Sequence, residues 1–206
     1  MLRSSALLVV SSLMTVTDAK WSFGSCPEYK MMANFDKYRY VGKWYQIVRD
    51  YSVWFTPWVQ CMTMEFSPVR DDGSFEQNYR GLFWPILTYV NNDGVYYQCG
   101  EDPTLSWTCQ ATMQGGTIRG DIHIFDTDYD NYKILYGCED MLGGLMKSES
   151  FGLFGRDPTM SDSAMEIAKK NVKEKTPNYD LDSNWWNLEW VLHNGICDYE
   201  SGWKFY

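Results

Sequence analysis

The chain has 206 residues, 45% of them hydrophobic, and 18 Lys and Arg against 27 Asp and Glu give a formal net charge of -9. Binding phosphates or anionic lipid needs a basic face, so nucleic-acid and anionic-membrane partners are excluded, and an aromatic share of 17% excludes disorder. With only two histidines, His123 and His193, a histidine-rich metal site is ruled out, and no metal or other cofactor is expected.

Residues 1–19 read as a secretory leader. Arg3 supplies the positive start, Ala6, Leu7, Leu8, Val9 and Val10 the apolar stretch, and Thr17 and Ala19 the small residues of a cleavage site. Ser11 and Ser12 interrupt the run, which falls short of the roughly 20 residues a spanning helix needs. No transmembrane segment is expected, and the remainder, residues 20–206, reads as a single secreted, extracellular domain. Its six cysteines, Cys26, Cys61, Cys99, Cys109, Cys138 and Cys197, suit a disulfide framework in an oxidising compartment. Zinc ligation is disfavoured because no C-x-x-C spacing occurs.

The middle of the chain reads as β structure. Residues 61–66 are strand-like, Asp71-Asp72-Gly73 signals a turn, and residues 74–80 alternate, with Phe75, Gln77 and Tyr79 on one face. Residues 82–90 form another strand candidate, bent at Pro85, and Asn91-Asn92-Asp93-Gly94 reads as a hairpin turn. Strands follow at 95–99, 107–113, 120–125 and 132–138, with a last short one at 151–155. Strands at this spacing predict an all-β fold, an eight-stranded antiparallel up-and-down barrel. One helix follows, entered at Pro158 and Thr159 and capped by Ser161 or Asp162. Ala164, Ile167, Ala168 and Val172 share its apolar face, and it is expected to pack outside the barrel.

Three motifs stand in order along this array. Gly42-Lys43-Trp44-Tyr45 follows Phe35-Asp36 and Tyr40, Thr127-Asp128-Tyr129 precedes Tyr132, and Gly155-Arg156 precedes Pro158. Together with the leader and the helix, they make the chain resemble the lipocalins, secreted barrels that carry small hydrophobic ligands. Cys26-Pro27, Phe35-Asp36 and Tyr136-Gly137-Cys138 resemble the branch containing apolipoprotein D, the crustacyanins and the bilin-binding proteins. The resemblance implies bridges Cys26–Cys138 and Cys61–Cys197, leaving Cys99 with Cys109. It also implies structural roles for Trp44 and Arg156, the tryptophan plugging the closed end and the guanidinium lying across it. Asp128 is expected to fix a turn.

A ligand is expected on the inward faces. Alternation places Phe75, Gln77, Tyr79, Ile122 and Ile124 inside. With Lys133 taken to face water, Tyr132, Ile134 and Tyr136 also point inward, and no inward lysine or arginine is expected. The lipocalin resemblance adds Phe66 and Phe154. Residues 51–58 match the loop that covers the mouth of such barrels. Their rings, Trp54, Phe55 and Trp58, are too many for a solvated loop. They cover ligand, dock another subunit, a receptor or a membrane, or pack on the aromatic tail of Trp185, Trp186 and Trp190.

The reading is a secreted carrier of a lipid, sterol, carotenoid, bilin or retinoid. The alternative is an interaction protein or chromoprotein subunit, a homo-oligomer or receptor ligand acting through its aromatic surface. A lipid-modifying enzyme is disfavoured, because that pairing leaves no free cysteine and no histidine stands beside an acid. No catalytic residue is assigned.

Overall fold

The computed structural model describes residues 20–28, 32–50, 58–96, 107–113, 116–122, 124–176, 179–182 and 188–200. Expectations for the leader, Trp54, Phe55, Trp185, Trp186 and Cys99 lie outside these residues, as do the side chains of Ile122 and Cys109.

The strands are β1 (Lys20–Phe23), β2 (Gly42–Asp50), β3 (Val59–Phe66), β4 (Phe75–Phe83), β5 (Thr88–Tyr96), β6 (Trp107–Met113), β7 (Gly116–Ile122), β8 (Ile124–Thr127), β9 (Tyr132–Met141), β10 (Met146–Gly155) and β11 (Leu188–Trp190). The helices are the single turn α1 (Lys37–Tyr40) and the long α2 (Asp162–Lys175). Hydrogen-bonded neighbours run β5-β4-β3-β2-β10-β9-β8, with β6 paired to β7. β6 lies beside β5, and β7 leads into β8 after one residue. The wall is therefore an eight-position antiparallel barrel, β7 and β8 sharing one position, and β10 returns to β2 to join its ends.

One turn expectation and one strand boundary are corrected. Asn91-Asn92-Asp93-Gly94 lies inside β5, where Gly94 pairs with Gln77 and Asp93 with Asn78. The Asn78 amide donates to the Asp93 carboxylate across the ladder, so the polar run is part of the strand pairing and not a turn. The chain reverses at a 3-10 turn over Trp84–Ile86, with Pro85 in its first positions and Leu87 left-handed at its end. The final strand, expected at 151–155, starts earlier, at Met146, as half of a hairpin with β9.

Helix α2 starts where Ser161 Oγ accepts from the Ala164 N–H at 3.3 Å. Ala164, Ala168 and Val172, four residues apart, are buried against the outer wall of the barrel, while Ile167, expected beside them, is 52% exposed. Their small size lets the helix lie close to Phe125, Tyr132, Ile134, Tyr136, Phe151 and Leu153, which form one buried cluster with it.

That cluster corrects the register of β9. Tyr132, Ile134 and Tyr136 face the helix, and Lys133, expected in water, faces the barrel interior with 0% exposure. Tyr132 Oη donates to Asp126 Oδ2 at 2.7 Å and accepts from Asn171 of α2 at 2.5 Å. Tyr136 packs edge-on against Phe125 and Tyr179 and donates to Glu149 Oε1 at 2.9 Å. Shifting a strand by one residue exchanges its faces, and the covering helix hides which face is inner.

The C-terminal tail is stitched to the upper wall. β11 pairs with β2 through Leu188–Asp50, Glu189–Arg49 and Trp190–Val48. The buried Arg49 guanidinium donates to Glu189 Oε2 at 3.0 Å and to the Val59 carbonyl at 2.6 Å. Cys61–Cys197 then locks the tail to β3, and Cys26–Cys138 locks the N-terminal arm to β9, as the resemblance implied.

Candidate ligand-binding site

The site is built from the floor upward. Asp36 caps α1, its Oδ1 accepting from the N–H groups of Tyr38 and Arg39 at 3.0 and 3.3 Å. This turn ends in buried Tyr40, whose carbonyl accepts from Trp44 Nε1 at 2.9 Å. Gly42 between them has φ +95°, and a Cβ there would stand 3.3 Å from the Arg156 guanidinium, so glycine serves both backbone and packing. On the opposite side Asp128 Oδ1 accepts from the N–H groups of Asp130, Asn131 and Tyr132 at 3.1, 2.8 and 3.0 Å. Burial alone would raise its pKa, but the Asn131 amide and these backbone donors outweigh it and hold the carboxyl below its usual value. Asp128 is thus a turn-fixing carboxylate, as expected.

Arg156 joins the two sides. Its guanidinium lies 3.6 Å from the Trp44 ring centre, a stacked cation–π contact. It donates to the carbonyls of Tyr129, Val41, Lys43, Arg39 and Tyr40 at 2.8 to 3.5 Å. The closed end is therefore sealed by an indole under a fully engaged guanidinium.

Above this seal Tyr40, Trp44, Met64, Phe66, Phe75, Tyr96, Ile124 and Phe154 form one buried cluster, flanked by Tyr79 and Leu135. Of the residues expected inside, Phe66, Phe75, Ile124 and Phe154 lie in it and Tyr79 borders it. Tyr136 is not among them, since it lies under the helix. Trp58 stands just before the mouth end of β3 and is 50% exposed.

The interior also carries a polar band that hydrophobicity could not reveal. Lys133 pairs with Phe154, and Phe154 in turn with Gln46. Tyr79 Oη donates to Gln46 Oε1 at 2.9 Å. Two residues along the same face of β4 comes Gln77, 5% exposed, whose buried Oε1 has no hydrogen-bond partner. Lys133 Nζ donates to Tyr40 Oη at 3.0 Å and lies 3.2 Å from Met64 Sδ. The rings of Phe66, Phe154, Tyr40 and Trp44 surround it at 4.6 to 5.1 Å. Burial, and then the neighbouring Arg156 charge, hold its pKa well below the usual lysine value. The sequence did carry a signal for Lys133: its strand phase is set by the Asp128 turn and Tyr132, not by which residues look apolar.

Among the described residues no group of histidine, cysteine and carboxylate side chains could hold a metal ion, and no helix is long and apolar enough to cross a membrane.

A barrel sealed by a Trp–Arg stack, with an outer helix and terminal bridges, defines a recognisable class. Residues 85–181 match the model of the lipocalin / cytosolic fatty-acid binding protein family. Retinol-binding protein 4 of Gallus gallus is 28% identical over 204 residues, covering 93% of this chain and 94% of that one. Insecticyanin from Manduca sexta superposes with a TM-score of 0.73 at 14% identity, covering 88% of this chain and 94% of that one. Lobster apocrustacyanin A1 superposes with a TM-score of 0.61 at 20% identity, covering 85% and 97%. The chain is similar to the lipocalin family over these residues, and it shares the fold of these solved structures.

Proposed function

We propose that residues 20–206 act as one secreted lipocalin domain that carries a small hydrophobic ligand inside its barrel. One observation supports this above the rest: the inner wall is lined by Phe66, Phe75, Tyr79, Ile124 and Phe154 over a floor closed by Trp44 and Arg156. A container with one sealed end removes apolar surface from water and admits ligand only from the other. Covering roughly 300 Å² of ligand surface would favour binding by about 7 kcal/mol before ordering costs. The orphan Gln77 Oε1 gives this apolar space a point of orientation, a carbonyl waiting for a donor. Secretion agrees with the leader and with two bridges joining distant parts of the chain. The ligand class is a lipid, sterol, carotenoid, bilin or retinoid, and similarity to a retinol-binding protein supports the retinoid among these.

Titrating the full mature chain with retinol, a carotenoid and a bilin should quench tryptophan emission in a saturable way. No quenching by any of them, together with no small molecule recovered from the native protein, would sink the proposal.

A second reading rests on the rim. Trp58, Trp84, Ile86 and Leu87 are exposed together at the end of β4 and start of β3, and Leu142 and Leu145 are exposed on the β9–β10 turn. Such a rim suits a homo-oligomer or receptor contact, as in a chromoprotein subunit. Light scattering across a concentration series tests it: a constant monomer mass counts against self-association.

A further inference from the structure

Among the described residues Lys133 is a fully buried cation of the barrel interior whose contacts include no acid. Among the described residues no carboxylate stands within ion-pair distance of its Nζ, and its polar neighbours are a phenol oxygen and a thioether sulfur. Buried charges are ordinarily paired, because desolvation is otherwise uncompensated. Ring faces soften that cost but do not supply the missing anion. Independently, Gln77 Oε1 is a buried acceptor lacking a donor. Both groups belong to the band that Phe154, Gln46 and Tyr79 carry around the inner wall. Gly94, facing Gln77 across the ladder, places no side chain beside it. A wall meant only for hydrocarbon has no use for such a band.

We propose that Lys133 anchors the head group of the ligand, and that the ligand is an amphipathic carboxylic acid entering head-first, its apolar tail toward the mouth. This rests on the carrier reading above. The carboxylate completes the ion pair that the protein leaves open, and a further hydroxyl on the ligand donates to Gln77 Oε1. No bond is made or broken. Specificity follows from the difference between acid and neutral head groups on one tail, since a neutral alcohol leaves the ammonium without its anion.

The experiment compares retinoic acid with retinol on the full chain and on Lys133→Met, reading tryptophan quenching. The wild type should bind the acid about tenfold or more tightly than the alcohol, the margin a hydrogen-bonded charge pair gives. In Lys133→Met that preference should vanish, the acid losing about tenfold or more in affinity relative to the alcohol. If retinol binds but the wild type shows no acid preference, or the preference survives in Lys133→Met, the anchor is overturned and the carrier reading stands. If neither compound nor any other apolar probe binds the wild type, both fall together. Should the variant fail to fold, carboxyl-labelled ¹³C palmitate on the wild type decides. A bound carboxyl that stays ionised below its free pKa supports the anchor, and one that titrates at or above it overturns the anchor.

Discussion

In the ligand-free protein Lys133 is a liability, and its removal should make the barrel more stable. Methionine matches lysine closely in length and suits a floor of Trp44, Phe66, Phe154 and Met64. Replacing buried ionic groups with apolar ones of similar volume stabilises by about 1–4 kcal/mol. The ring contacts and the Tyr40 hydrogen bond offset part of the cost in the wild type, so we expect Lys133→Met to gain about 1–3 kcal/mol. At this chain length that raises Tm by about 3–10 °C. The pH dependence follows from linkage. Burial first, then Arg156, depress the folded-state pKa of Lys133, so between the folded and unfolded values the unfolded chain holds the extra proton. Wild-type stability therefore rises with pH through that window, until unfolded lysine deprotonates near about 10.4. The variant has no such proton, so its advantage is greatest at the low end and shrinks as pH climbs. Urea unfolding of both proteins at pH 7 and pH 10, bridges intact, reads this directly. A variant less stable than wild type at pH 7, or a gap that ignores pH, would refute the reasoning.

Three further expectations follow from the floor, the helix side and the tail. Arg156→Met strips donors from the carbonyls of Tyr129, Val41, Lys43, Arg39 and Tyr40 and leaves Trp44 unstacked, and should cost about 2–4 kcal/mol in a denaturant titration; a cost near zero would mean the seal is dispensable. Tyr136→Phe removes the hydrogen bond to Glu149 and should destabilise by about 1 kcal/mol while leaving ligand titrations unchanged, and altered ligand affinity would restore the inward reading. His193 donates through Nε2 to the Gln46 carbonyl at 2.8 Å and accepts at Nδ1 from Tyr199 Oη at 2.6 Å, so it is held neutral. Burial lowers its pKa against the opposing effect of the Gln46 bond, so its contribution is present above the unfolded value of about 6.5 and is lost as pH falls below it. Amide protection factors in residues 192–199, corrected for the intrinsic rate at each pH, should fall between pH 7 and pH 5, and equal protection at both would contradict this.

The parts legible in the sequence are those fixed by local geometry. Asp36, Gly42, Asp128 and Ser161 each act through a cap, a turn or a positive φ, and each stands where its motif placed it. Alternation worked on β4, where Phe75 and Tyr79 face inward and Glu76 faces out toward Arg70. It failed on β9 because α2 covers the outer wall there, so both faces are buried and Tyr132, Ile134 and Tyr136 look like a core stripe. Polar pairing across β4 and β5 likewise made Asn91–Gly94 resemble a turn. Alternation on β4 also turns Gln77 inward, but Gln46 and Lys133 are residue types that ordinarily face water, and only closure of the barrel turns them inward.

The Arg156 contacts also set an order of events during synthesis. The carbonyls that Arg156 binds on Arg39, Tyr40, Val41 and Lys43 leave the ribosome more than a hundred residues before it does. Until β10 arrives, β2 has no partner on that side and Trp44 has no cover. Cys26 waits 112 residues for Cys138, and Cys61 waits 136 for Cys197. The nascent chain must therefore carry open thiols and an uncapped indole through most of translation. Folding is thus completed late, and a truncation that removes β10 leaves β2 without the strand that joins the two ends of the sheet.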